Sequence, residues 1–478
     1  MVGAAYTAIT ALAEMAASVA PSGDGKVARS LRARRGLVAR IQLGARDARD
    51  PSRPLVWFHA PSVGEGLQAR PVLAALRNAH PTWQVAYTFF SPSAERFAES
   101  LAADFTAYLP FDRASNADAL LDAWQPSIIV FSKLDVWPVL VERATARGIP
   151  VILISATVAE RSGRLGWWSR QLLRDAYGAL AKVGAIDESN ADRLVSLGVS
   201  DDALCVTGDT RFDQVWTRAQ ATHRSSPLLA CLASPAPTVV AGSTWPADEA
   251  MLLPAWNALR ADRSPRNANT HTARLVIAPH EPTPAHCAAI ERWAQQSSLR
   301  LRRLSAIDDE WQAAPANVPA NVPANVPANV PANVLANVPA NVPANVPANV
   351  SADTVDVVLV DRIGVLGDLY ALADVAFVGG GFHSAGLHSV IEPAAFGVPV
   401  LFGPHYDMSR EARLLLEAGA AYAVPDASAL HARIATWLSD RVKRDNAGAA
   451  ARDVVKRERG ATDRSTALIE QSMRTPSR

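Results

Sequence analysis

Cysteine is scarce in this chain. Its three cysteines, Cys205, Cys231 and Cys287, are far apart, form no CxxC pair and leave an odd one over. Neither a disulfide framework nor a thiolate zinc site is therefore expected, and a reducing, cytoplasmic setting fits best. Histidine spacing adds no metal site, because His383 and His388 are five apart, Asp407 lies near His405, and neither pattern is a ligand spacing. No metal and no cofactor is expected. Charge of one sign is also lacking: Lys+Arg 47 against Asp+Glu 46 leaves +1, which removes any global argument for a nucleic-acid partner. A long hydrophobic run is missing as well. Residues 1–20 are mostly small and apolar, but they carry Glu14 and no Leu/Ile/Phe core, a poor membrane-spanning segment.

What the chain has is length and alternation. Its 478 residues exceed what one hydrophobic core usually supports, so two domains are expected. With 49% hydrophobic and 19% charged residues it reads as globular α/β. From residue 55 to about 215, apolar strands such as LVWFHA, QVAYTFF, PSIIVFS and PVILISAT alternate with helical stretches. A second series runs through TVVAGST, ARLVIAP, DVVLVDR, ADVAFVGGG and VPVLFGP. Such alternation predicts parallel sheets with helices on both faces. The expected fold is α/β, with two facing Rossmann-like doubly wound domains at 51–225 and 226–445, a segment 1–50 before them and a helical tail at 446–478. Ser225, Ser226, Pro227, Pro235 and Pro237 break the pattern in a linker near 218–237. A Pro-Ala-Asn-Val tetrapeptide recurs through 315–350, with Leu335 once in the place of proline. Its prolines forbid helix, so an exposed, disordered insertion with no catalytic part is expected.

The first fifty residues carry a charge pattern of their own. Between positions 26 and 49, Lys26, Arg29, Arg32, Arg34, Arg35, Arg40, Arg46 and Arg49 stand against Asp47 alone. An apolar helix followed by such a run suits the cytoplasmic face of an anionic membrane, at about 1 kcal/mol per basic residue near the surface. The other reading is an amphipathic helix packed on the protein itself. In a cleaved signal peptide the basic residues would come first.

Two stretches carry most of the chemistry: WFHAPSVGEG at 57–66 and GGGFHSAGLHSVIEPAAFGVPVLFGP at 379–404. In each, an apolar strand runs into small residues and a helix begins beyond. Glycines at a strand end free backbone N–H groups for an anion, and a helix N-terminus adds its positive dipole end. Glu392 is placed to accept hydrogen bonds from a ribose diol, and Glu65 offers a carboxylate base. Ligands of doubly wound sheets bind beyond the carboxyl ends of the strands, so the active site is expected in a cleft between the domains.

HAPSVGE, TFFSPSAERF at 88–97, YLPFD at 108–112, ISATVAERSGR at 154–164, SNADRLVSLGV at 189–199, VTGDTRFD at 206–213, AGSTWPADE at 241–249 and the Glu392 segment occur in this order. Over roughly residues 50–435 the chain thus resembles the 3-deoxy-D-manno-octulosonic acid (Kdo) transferases. The resemblance implies the two-domain glycosyltransferase architecture called GT-B, with the first domain taking the acceptor and the second the CMP-sugar. It implies inverting transfer of Kdo from CMP-Kdo to a lipid A precursor (lipid IVA) in lipopolysaccharide biosynthesis, at the cytoplasmic face of the inner membrane. Glu65 is then the base, or else a carboxylate that caps its helix. His59, Ser62, Gly64 and Asp135 are the candidates for orienting the acceptor or Kdo, with a buried strand-end histidine as the other reading of His59. For CMP the candidates are Ser243, Thr244, Pro279, His280, Gly380, Gly381, His388, Ser389 and Glu392. A plain N-cap remains the other reading of Ser243 and Thr244, while Glu249 is expected to hold their turn together.

The chain departs from the family in three places. Glu-Thr-Glu-Leu-Trp-Pro-Asn is replaced by Lys133-Leu134-Asp135-Val136-Trp137-Pro138-Val139, which reverses a charge. Pro-Arg-His-Pro-Glu-Arg becomes Ala278-Pro279-His280-Glu281-Pro282, losing an arginine suited to an anion. Gly-Gly-His-Asn becomes Gly386-Leu387-His388-Ser389. Arg211 and Lys182 are further candidate anion partners. Two alternatives stay open: a GT-B transferase with another sugar nucleotide or acceptor, and a non-catalytic sugar-nucleotide-binding protein.

Overall fold

The computed structural model describes residues 4–18, 25–160, 162–262, 272–313, 355–384 and 386–474. The tetrapeptide repeat at 315–350, read above as disordered, lies outside the described residues. The chain divides into two compact units, residues 1–215 with 457–478, and residues 216–456.

The sheet of the first unit contains β1 (Leu55–His59), β2 (Gln84–Phe89), β3 (Phe105–Tyr108), β4 (Ile128–Ser132), β5 (Val151–Ala156), β6 (Lys182–Ala185) and β7 (Leu204–Val206), in the order β3-β2-β1-β4-β5-β6-β7. That of the second contains β8 (Thr238–Thr244), β9 (Arg274–Pro279), β10 (Leu301–Arg303), β11 (Val357–Leu359), β12 (Val375–Val378), β13 (Val400–Phe402) and β14 (Ala421–Ala423), in the order β10-β11-β9-β8-β12-β13-β14. Every pairing between these strands is parallel. Helices cover both faces of a parallel sheet, so its central strands need an apolar residue at nearly every position. LVWFH in β1 and VAFV in β12 meet that need, and all nine residues are buried. Each sheet reverses its winding once, between β1 and β4 in the first and between β8 and β12 in the second. These reversals are the switch points at which such folds leave a crevice.

The first core is built around Trp57, which meets Trp124 edge to face at 4.9 Å, and the second around Trp256 and Phe377, both fully buried. The segment expected to be a linker is ordered. A helix, Thr210–Ala221, runs into it, and a short one, Pro227–Ala230, follows. Leu229, Cys231 and Leu232 are buried in a core of the second unit. Pro227 opens its helix, where a missing N–H costs nothing.

Past residue 440 the chain forms two helices, Arg441–Arg457 and Ala461–Arg474. The second packs into the first unit, with Ile469 fully buried. Asp213 accepts the N–H groups of Gly460 and Thr462, each at 2.7 Å, and Arg464 donates to the Thr207 carbonyl at 2.8 Å. The N-terminal helix Ala4–Ser18 is tied to the same unit. Its Tyr6 hydroxyl donates to Asp112 at 2.8 Å, and its Glu14 takes Asn116 at 2.8 Å and pairs with Arg113. Leu12 and Met15 remain exposed. Among the described residues, no helix is long and apolar enough to cross a membrane.

Candidate active site

At the switch point of the first sheet, the chain leaves β1 through Ala60, Pro61 and Ser62 and enters the helix Val63–Ala79. The Pro61 carbonyl accepts from Phe90 (3.0 Å) and Ser91 (2.8 Å), which fixes the turn. Glu65 stands in the first helical turn, its side chain 19% exposed. Ser62 donates its hydroxyl to one Glu65 oxygen, and Lys133 Nζ reaches the other at 3.3 Å. The Ser132 hydroxyl donates to the Glu65 carbonyl at 2.9 Å. Burial pushes the carboxyl up, but the Ser62 bond and the Lys133 charge outweigh it and hold Glu65 below the ordinary value. Glu65 is thus ionised at neutral pH. One helical residue on, Gly66 leaves no room for a side chain: a Cβ would come within 2.4 Å of Phe97 and 2.6 Å of the Tyr87 hydroxyl.

The other candidates of the first unit sort by burial. Ser62 and Gly64 are at the surface of the turn with Glu65. Asp135, two residues past Lys133, is held by Arg164 at 2.5 Å. His59, read above either as orienting the acceptor or Kdo or as a buried strand-end residue, is fully buried. Its Nδ1 lies 2.9 Å from the Thr88 hydroxyl and its Nε2 accepts the Trp137 indole N–H at 3.0 Å. Burial drives its pKa down to about 3, so it stays neutral, with the proton on Nδ1. His59 is thus held between the Thr88 hydroxyl and the Trp137 indole, as a buried strand-end histidine would be.

The second unit uses its switch point differently. β8 bulges at Ser243, which takes a left-handed φ of 54°, and the chain then enters the helix Pro246–Ala261. Asp248, fully buried in the first turn of that helix, accepts the N–H groups of Trp245 (2.9 Å), Gly380 (2.7 Å) and Phe382 (3.0 Å). Two N–H groups of this turn, those of Gly380 and Phe382, thus already bind a carboxylate of the protein, and that of Gly379 goes to the Gly242 carbonyl at 2.9 Å. Gly380 has φ 90°, and a Cβ there would lie 2.1 Å from the Gly386 carbonyl oxygen. Thr244 is also no free donor, because its buried hydroxyl donates to Glu249 at 2.8 Å. Glu249 in turn accepts from His286 Nε2 at 2.9 Å. Glu249 thus ties down the Ser243–Thr244 turn through Thr244, as expected, while the glycine turn is held by its neighbour Asp248.

Above this base lies an aromatic stack. Trp245 is sandwiched between His280 at 4.5 Å and His383 at 4.4 Å, and His280 stacks on His388 at 4.6 Å. The Trp245 indole donates to His388 Nε2 at 3.1 Å. Burial, then the neighbouring His280, lowers the pKa of His388. Pro279 is buried at the end of β9, whereas Ser389 is exposed and bonded to Glu392. Burial raises the Glu392 pKa against the opposing charge of Arg218. Arg218, which the sequence reading passed over, pairs with Asp368 at 2.9 Å. Neither proposed anion partner of the first unit stands free at its carboxyl edge. Lys182 begins β6 at the amino edge and bonds the Asp202 carbonyl at 2.8 Å, and Arg211 folds back on Asp209 at 2.6 Å. Among the described residues, no three metal-ligating side chains come together.

The profile of the family described as "3-Deoxy-D-manno-octulosonic-acid transferase (kdotransferase)" matches residues 29–214. A 3-deoxy-D-manno-octulosonic acid transferase of Bordetella pertussis is 30% identical over 443 residues, 91% of each chain. The chain belongs to the Kdo transferase family. Another Kdo transferase, from Haemophilus influenzae, is 24% identical over 419 residues, covering 87% of this chain and 86% of its own. Kdo transferases are glycosyltransferases, and solved structures agree on the GT-B fold. A UDP-GlcNAc 2-epimerase from Neisseria meningitidis superposes with a TM-score of 0.56 at 14% identity, covering 88% of this chain and all of its own. A glycosyltransferase from Rickettsia africae gives 0.54 at 11% identity, over 89% of this chain and all of its own. At such identities the likeness speaks for the fold alone.

Proposed function

We propose that this chain is an inverting transferase that moves Kdo from CMP-Kdo to a lipid A precursor, lipid IVA, in lipopolysaccharide biosynthesis, and that it works at the cytoplasmic face of the inner membrane. The observation that carries this reading is Glu65, an ionised, partly exposed carboxylate at the first switch point of a Kdo transferase family member. Glu65 takes the proton of the acceptor hydroxyl as that oxygen attacks the anomeric carbon of Kdo. The bond from this carbon to the CMP phosphate oxygen breaks, and its electron pair leaves with CMP. Attack opposite the leaving group inverts the anomeric centre, and the base acts only as the oxygen becomes nucleophilic. The second unit is assigned to CMP, with Glu392 for the ribose and the Trp245 and histidine stack beside it. The test is CMP release by purified protein, with CMP-Kdo generated in situ and lipid IVA in detergent. Acceptor-dependent release with a Kdo mass increment on the lipid is expected; CMP binding without transfer would end the assignment of this acceptor.

Exposed aromatics support the membrane location. Trp167 and Trp168 are 65% and 79% exposed at the start of the helix Trp167–Gly178, which also presents Leu172, Arg170 and Arg174. Aromatic rings beside basic groups suit the headgroup layer. Sedimentation with vesicles of anionic phospholipid is expected to fall several-fold in the double variant Trp167→Ser, Trp168→Ser. Unchanged binding would remove this surface from the reading.

A further inference from the structure

We propose that Lys133 is the residue with which this chain recognises an oxyanion on its substrate, beside the hydroxyl that Glu65 deprotonates, and that Lys133 rests on Glu65 until that anion arrives. The inference builds on the reading of Glu65 as the base.

Three observations carry it. Lys133 is the first residue beyond β4, at the switch point where a ligand is expected. Its backbone is in the left-handed region, φ 72°, which glycine accepts freely and a lysine does not. That conformation is pinned on both sides, because Lys133 N donates to the Ile154 carbonyl at 2.9 Å and its own carbonyl accepts from Thr157 at 3.2 Å. Strain of this kind persists where the surroundings impose it and clusters at functional sites. Third, the side chain is 41% exposed, and its contact with Glu65, at 3.3 Å, is longer than a good charge-assisted bond of about 2.8 Å. An ammonium carries three donors, and a half-exposed pair of this length contributes little to stability.

The pair also has a chemical consequence. A carboxylate held by an ammonium is a weaker base than a free one, so Glu65 works best once Lys133 turns away. An incoming phosphate or carboxylate competes for the ammonium and frees Glu65 at the moment the acceptor hydroxyl is in place. Two substrate groups have this chemistry: a phosphate monoester on the lipid acceptor, and the carboxylate of the donor sugar.

The test uses the full chain and the variants Lys133→Gly and Lys133→Arg. Lys133→Gly removes the ammonium and relieves the left-handed backbone, so its thermal midpoint is expected to equal or exceed that of the wild type. Its KM for the phosphorylated lipid acceptor is expected to rise roughly 10- to 100-fold, with no rise for the same lipid after phosphatase treatment, while Lys133→Arg stays within a few-fold of wild type. A rise in the donor KM instead assigns the ammonium to the sugar carboxylate. KM values for both substrates within about twofold of wild type, or a loss confined to kcat, overturn the proposal. Equilibrium binding of the two lipids without donor reads Lys133 even in a protein that transfers nothing, and a wild type that binds the phosphorylated lipid yet never releases CMP would sink the proposed function and leave this inference standing.

Discussion

The two switch points share one topology and hold a carboxylate in opposite surroundings. In the first unit Glu65 lies partly exposed in the opening turn of its helix, with a hydroxyl and a distant ammonium as partners. In the second unit Asp248, in the equivalent opening turn, is fully buried and satisfied by three backbone N–H groups. The roles proposed above follow this difference. On the reading proposed above, a carboxylate that is 19% exposed and held by side chains that can turn away keeps the capacity to take a proton. One sunk among backbone donors gives up that capacity and fixes a glycine turn against a helix.

The largest expected effect separates these roles. Glu65→Gln keeps the shape and removes the basic oxygen, so kcat should fall about 100- to 10,000-fold with CMP affinity within twofold of wild type. A parallel loss of CMP binding would break the contrast, because Glu65 would then be structural as Asp248 is. Asp248→Ala is the reciprocal change. It leaves three N–H groups without their acceptor, at about 1–3 kcal/mol for each that stays buried, so thermal melting of the second unit should drop by roughly 10 °C and CMP binding should be lost. A melting point within a degree of wild type would show that the turn needs no internal anion. The smallest effect concerns the first unit alone. His59 titrates near 6.5 when unfolded and at about 3 when folded, so between these values the unfolded state binds the extra proton. Stability from this group is complete above about pH 6.5 and is lost as pH falls toward 3. In His59→Leu, urea unfolding should lose that pH dependence while KM stays put. A slope equal to wild type would mean that the imidazole is not the buried neutral group described.

The architecture was legible because parallel strands buried on both faces are apolar nearly throughout, and short β-branched and aromatic runs such as LVWFH recur between helical stretches. The placing of Glu65 was legible for a related reason, since a small-residue turn between strand and helix is local in sequence. Side-chain partners were not. Asp248 and Glu249 are neighbours in sequence, and only the rotation of the helix decides which meets the glycine turn 132 residues away. The Thr244 hydroxyl is a donor in the sequence, and in the fold Glu249 takes it. His59 ends a strand, where alternation leaves inward and outward equally open; the indole of Trp137, 78 residues on, decides it. The left-handed backbone of Lys133 had no sign in the sequence, since lysine is not a residue that announces such a turn. The short helix within the expected linker was not legible, because Pro227 signals a helix start as readily as a break.

The return of the chain to its first unit bears on how the molecule is made. Residues 461–474 cover a sheet whose strands, between residues 55 and 206, are all translated more than 250 positions earlier, so a nascent first unit leaves the ribosome with an apolar seat still empty where Ile469 will go. It stays unfinished until the whole second unit has been synthesised. A chain stopped short of residue 461 would therefore carry Glu65 and every other proposed site residue, yet present an uncovered surface to chaperones and proteases.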